Sequence, residues 1–152
     1  MKGIQFVLVA ALVGGLSGCG SFYPGDPTEN KPRFTAALNG GNESPPTDTA
    51  GRASLTASYS PSRRILAWRL IYRDLSGPIT WAEFRGPDIE GTDSAIVPIN
   101  LPLEGNPHPG EATLTDRQAA DLEAGRWYVV LKTEKFPAGE IRGPVVPTGT
   151  RF

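Results

Sequence analysis

One cysteine and one histidine in 152 residues close off several chemistries at the outset. Cys19, as the single thiol, allows no disulfide within the chain. His108, as the single imidazole, leaves no set of neutral nitrogens for a zinc or copper site. It also stands among Asn106, Pro107, Pro109 and Gly110 in an expected loop, and no serine sits in a Gly-x-Ser-x-Gly elbow, so nucleophilic hydrolysis has no support. Basic runs are missing too. Lys and Arg number 15 against 16 Asp and Glu, one lysine falling within residues 1–18, so the remainder is slightly acidic and has no footprint for nucleic acid. Asp88, Glu90 and Asp93 around Gly91 lack the spacing of an EF-hand loop and read as solvated acids. No cofactor is expected. There is no internal repeat long enough for a solenoid, and no alternation of strand and helix that would build a parallel sheet.

What is present begins with the only long apolar run. Residues 4–16 follow Lys2 and end in Leu16-Ser17-Gly18-Cys19, a segment too short and too poorly flanked to span a bilayer, with the form of an export signal. These four residues resemble the bacterial lipobox. The resemblance implies cleavage before Cys19, alkylation of its thiol by diacylglycerol and acylation of its amine. Several acyl chains, at about 0.8 kcal/mol per buried methylene, hold a protein at a membrane firmly. A plain signal peptide cut nearby and an uncleaved apolar start are the alternatives. Gly20 and Ser21, and no aspartate, follow the cysteine, which by the same resemblance points to the outer membrane, with the domain on the periplasmic or surface face. Residues 19–32 carry three prolines and no periodicity, as a tether does.

The whole chain holds 18 glycines and 15 prolines, and beyond the tether they punctuate short apolar stretches, the pattern of a turn-rich β domain large enough to bury a core. Ala53, Leu55, Ala57 and Tyr59 alternate with Ser54, Thr56 and Ser58. Leu66, Trp68, Leu70 and Tyr72 then share one face of residues 64–73, and a turn at Pro61-Ser62 makes the two a hairpin. Further strands are expected at 33–38, 79–84, 95–101, 127–132 and 140–146. One helix is expected at 115–124, with Thr115 and Gln118 as a capping box, Ala119 and Leu122 on its apolar stripe, and Gly125 ending it in the left-handed region. About seven strands with one late helix predict an all-β, antiparallel sandwich over 33–146, followed by a tail at 147–152.

Four segments in order resemble the CHRD domain, a module named for its repeats in chordin and also found singly in bacterial proteins. Phe34-Thr35-Ala36-Ala37-Leu38-Asn39-Gly40 with Asn42-Glu43-Ser44-Pro45-Pro46 is similar to the family's opening strand and its Glu-Val-Pro-Pro element, and Gly51 opens the next strand. Leu75-Ser76-Gly77 and Ala82-Glu83-Phe84-Arg85-Gly86-Pro87 resemble its Leu-Ser-Gly turn and its Ala-His-Ile-His-Gly-Pro run. Leu122-Glu123-Ala124-Gly125-Arg126-Trp127-Tyr128-Val129, Lys132-Thr133 and Pro137-Ala138-Gly139-Glu140-Ile141-Arg142-Gly143 resemble its helix-glycine-strand and Gly-Glu-Ile-Arg-Gly terminus.

The departures are chemical. Glu83, Arg85 and Lys132 stand where the resemblance would place histidines, so metal chemistry of that kind is not expected. Glu83 and Arg85, two apart on a strand, share a face, and the resemblance brings Lys132 near them. They are expected either as an ion-paired cluster or as three solvated side chains. Glu140 and Arg142 are expected on one face of the last strand with Ile141 opposite, and Glu43 is the expected partner of Arg142 across the domain. Trp68, Trp81 and Trp127 read as core or edge aromatics, with Trp81 on the face of Glu83, placed for a carbohydrate or protein contact.

These readings predict a lipid-anchored, non-enzymatic binding module of the cell envelope, with an envelope protein or carbohydrate as partner and no nucleic acid. A structural protein that self-associates through exposed strands is the alternative. An enzyme using Glu83, Arg85 and Lys132 would need a cleft and a perturbed carboxyl.

Overall fold

The computed structural model describes residues 34–87, 95–103 and 105–148. The segment containing Cys19, the tether and the loop of Asp88, Glu90 and Asp93 lie outside the described residues. The strands are β1 (Phe34–Asn39), β2 (Arg52–Ser60), β3 (Ile65–Arg73), β4 (Ile79–Arg85), β5 (Ala95–Pro98), β6 (His108–Thr113), β7 (Tyr128–Thr133), β8 (Ile141–Pro144) and β9 (Val146–Pro147), with one helix, α1 (Asp116–Glu123), between β6 and β7. No described helix is long and apolar enough to cross a membrane.

Period-two alternation makes these strands, and it sets which side faces inward. β2 buries Ala53, Leu55, Ala57 and Tyr59, and β3 buries Leu66, Trp68 and Leu70. The two pair from Arg52↔Arg73 to Ser60↔Ile65, which is the expected hairpin. On the second half, β4 turns Ala82 and Phe84 inward and β7 does the same with Val129 and Leu131. Phe84 joins the halves: its ring lies 5.0 Å from Trp68 edge-on and 5.8 Å from Trp127.

The fold is all-β and antiparallel, as expected, but the expected two-layer sandwich of about seven strands is one nearly closed sheet of nine. Its order is β5-β4-β7-β8-β1-β2-β3-β6, with β9 on β1. The two halves join at the far edge of β1, which takes β8 at Asn39↔Arg142 and β9 at Phe34↔Pro147 and Thr35↔Val146. β9 carries the sheet one residue past the expected domain end at 146. Gly143 permits the approach of β8 to β1, because a Cβ there would meet the Ala37 carbonyl oxygen at 2.1 Å.

β6 is the strand absent from the expectation. His108 is not in a loop: it pairs with Leu70 at the start of β6 and is buried. Pro109 obscured the strand, yet β6 ends the sheet order, and an edge strand tolerates a residue with no N–H to donate. The helix formed as read. The Thr115 side chain accepts from the Gln118 N–H, the Gln118 side chain accepts from the Thr115 N–H, Ala119 and Leu122 are buried, and Gly125 has φ 67°.

Candidate functional site

Two polar constellations are present, one buried at the end of β7 and one on the outer face of β4, β7 and β8. The inner one is a single carboxylate. Glu140 has no exposed surface, and four hydrogen bonds converge on it: Thr49 Oγ1 (2.7 Å) and the Ser76 N–H (2.8 Å) donate to Oε1, Ser76 Oγ (2.7 Å) and Thr133 Oγ1 (2.5 Å) to Oε2. Thr47 Oγ1 adds a bond of 2.6 Å to its carbonyl. Burial alone would raise this carboxyl, but the bonds from Ser76, Thr133 and Thr49 outweigh it and hold the group below the ordinary 4.5. Glu140 therefore ties the segment before β2, the β3–β4 turn and the end of β7 to the start of β8. It does not share a face with Arg142, as strand alternation had suggested: Glu140 lies before β8 with no exposed surface, whereas the Arg142 side chain is 29% exposed and faces Glu43.

The outer constellation is built by alternation. With Ala82 and Phe84 of β4 committed to the core, Trp81, Glu83 and Arg85 face outward, and Tyr128, Val130 and Lys132 do so on β7. Register sets the rows: Trp81 opposes Lys132, Glu83 opposes Val130, Arg85 opposes Tyr128, and Arg142 of β8 opposes Val130 from the other side. Glu83 is only 3% exposed and Arg85 Nε lies 2.8 Å from its Oε1, so the pair is not a solvated one.

The fourth cluster member comes from the loop after β1. A 3-10 turn over Gly40–Asn42 sets Asn42 against β8, where its Nδ2 donates to the Arg142 carbonyl (3.1 Å) and the Arg142 Nε donates to the Asn42 carbonyl. That clamp delivers Glu43 to within 3.8 Å of the Arg142 Nε, the expected end-to-end partnership. The Glu43 side chain is 9% exposed, and its Oε1 is buried with no hydrogen-bond donor among the described residues. Burial pushes its carboxyl above the ordinary 4.5, although Arg142 and Lys132 pull the other way. Lys132 thus reaches the cluster through Glu43 as well as through its strand position. The Arg142 guanidinium lies 5.4 Å from the centre of the Tyr128 ring.

Between these groups is an open cleft of about 360 Å³ lined by Glu43, Ser44, Arg85, Tyr128, Lys132 and Arg142, with Val130 and Ala138 as its apolar members. Three cations line it against one acid. Trp81 is not a lining residue but pairs with Lys132, which is, and it is 49% exposed where the register of β4 on β7 shifts between Ile79 and Trp81. A larger depression of about 430 Å³ bounded by Tyr72, Leu75, Ile79, Leu101 and Leu103 has Arg73 and Asp74 as its charged members, paired with each other at 2.7 Å. Among the described residues no group of three or more His, Cys, Asp or Glu is placed to hold a metal ion.

A single antiparallel sheet that curls around one core, braced by a buried carboxylate and carrying its charges on the outside of three neighbouring strands, defines a small all-β module. A family model described as the CHRD domain matches residues 34–145, more than half of the chain, and the chain belongs to that family. Neither the curated proteins nor the solved structures contain a match. The segments that carried the resemblance are the ones the structure gathers: Leu75-Ser76-Gly77, Thr133 and Glu140 meet at the inner carboxylate, and Glu43, Glu83, Arg85, Lys132 and Arg142 surround the outer cleft. Sequence reasoning missed the role of Thr47 and Thr49. Their only signal was two small hydroxyl residues in a stretch with no periodicity.

Proposed function

We propose that the chain is a lipid-anchored, non-enzymatic binding module of the cell envelope whose ligand site is the outer cleft of β4, β7 and β8. The observation that carries this reading is the exposed Trp81 beside a cleft with three cations, on a face whose residues the core does not require. Exposed aromatics and cations set around a concavity are a feature of binding surfaces. The Leu16-Ser17-Gly18-Cys19 run supports the anchor. Self-association through the outermost strands, the other reading, has less support, since Pro98 in β5 and Pro109 in β6 remove N–H donors a docking strand would need.

Intact mass and membrane fractionation of the native protein beside Cys19→Ser test the anchor. The expected result is a mass fitting cleavage before Cys19 and a triacylated cysteine, with the variant lost from the membrane fraction. A native mass without lipid overturns it.

A further inference from the structure

We propose that the outer cleft takes an acidic saccharide, its carboxylate held by Arg85, Lys132 and Arg142 and a ring face laid on Trp81. This names the ligand class for the binding reading above and rests on it.

Charge argues for an anion. Glu83 is 3% exposed and ion-paired with Arg85 at 2.8 Å, and Glu43 is packed against Gly139 with its Oε2 3.8 Å from the Arg142 Nε. With Arg85, Lys132 and Arg142 set against Glu43 alone in the lining, a ligand entering the cleft meets an excess of positive charge. Arg85 is ion-paired with Glu83, its Nε 2.8 Å from Oε1 but without hydrogen-bond geometry, and Arg142 is gripped at Nε by the Asn42 carbonyl. A grip there fixes the plane of the fork, the preorganisation that recognition of a planar carboxylate needs.

The lining argues for a hydroxyl-rich ligand. Pockets for ordinary small molecules are mostly apolar, whereas only Val130 and Ala138 are apolar here, and a volume of about 360 Å³ accommodates a short saccharide. Trp81 supplies the complementary apolar surface. The other two tryptophans are 5% and 1% exposed, so the core does not explain an indole left 49% exposed opposite Lys132. A sugar ring has a C–H face for such an indole and polar edges for its neighbours.

The test is calorimetric titration of the detergent-solubilised full chain with trigalacturonate and a hyaluronan tetrasaccharide, with maltotriose as the neutral counterpart and inorganic phosphate as the plain anion. Thermal melts establish that each variant is folded. At least one acidic probe is expected to bind, more weakly as salt rises, and to be recovered intact. Trp81→Ala and Lys132→Gln should each weaken it roughly tenfold, about 1.4 kcal/mol. Equal binding of maltotriose, equal binding of phosphate, or an unchanged affinity in Trp81→Ala overturns the inference. Cleavage of a probe overturns the non-enzymatic reading. If neither acidic probe binds, the ligand class is wrong, and a photoreactive p-benzoylphenylalanine in place of the exposed Thr80 decides the rest. A protein adduct in cells that disappears in Lys132→Gln leaves the module reading standing without a saccharide. No adduct at all removes both.

Discussion

A carboxylate with no exposed surface survives in a fold only if hydrogen bonds replace the water it has lost, and Glu140 shows how many that takes. Four donors reach its two oxygens. Glu140→Gln keeps the shape but turns one acceptor into a donor that faces donors. The expected cost is about 1.5–3 kcal/mol, the worth of one charge-assisted bond, read by urea denaturation at pH 7. The pH dependence has a definite sign. The hydrogen bonds hold this carboxyl below the ordinary 4.5, so the unfolded chain binds its proton more readily. Its contribution is complete above that unfolded value and is lost as pH falls through the lower folded one. The deficit of Glu140→Gln should therefore be largest at neutral pH and shrink in acid. Glu43, whose carboxyl burial raises, works in the opposite direction: its ionised form is disfavoured by folding, so its penalty at neutral pH is relieved as pH falls through its raised folded value. Acid titration of wild type, Glu140→Gln and Glu43→Gln separates the two, and a Glu140→Gln deficit that grows as pH falls would contradict the assignment.

At the scale of elements, legibility followed the strength of local pattern. The β2–β3 hairpin was readable residue by residue, because nine pairs of alternating side chains leave one register that buries the apolar set. The helix was equally readable, since a capping box is a local device and Thr115 and Gln118 form it without help from the rest of the fold. Thr115→Ala removes one N-terminal acceptor and should cost about 0.5–2 kcal/mol, measured as a drop in thermal midpoint with unchanged sheet signal in circular dichroism. β6 was hidden, because Pro109 argues against a strand unless that strand is known to lie at an edge, and edge position is a tertiary fact. The outer cleft was half legible. The period of two put Glu83 with Arg85, and family resemblance put Lys132 near them. Glu43 was read as the partner of Arg142, and what nothing local announced is the grip of Asn42 on Arg142 that holds it there.

For the whole molecule, the unreadable fact was the seam between β8 and β1, which joins the two halves into one sheet. A strand with one buried face looks the same in a two-layer sandwich and in a sheet curled on itself, because both bury alternate side chains. The difference lies in whether β8 touches β1, and in this chain that depends on Gly143, where the Ala37 carbonyl oxygen would be 2.1 Å from any Cβ. The clash is with backbone and so cannot be relieved by a rotamer change. Gly143→Ala should push β8 off β1, with a stability loss of about 3 kcal/mol or more, the upper range for overpacking. Amide hydrogens of β1 and β8 should lose protection together while the β2–β3 hairpin keeps its own. Gly77→Ala is the matched control, since nothing lies within 4 Å of its added methyl and it should change stability by no more than about 0.5 kcal/mol. That seam also carries the cleft, whose Glu43 follows β1 and whose Arg142 stands on β8. Opening that seam in Gly143→Ala should therefore weaken binding of the acidic probe even though the altered residue faces inward. A variant that lost the seam yet bound the probe unchanged would place the ligand site elsewhere.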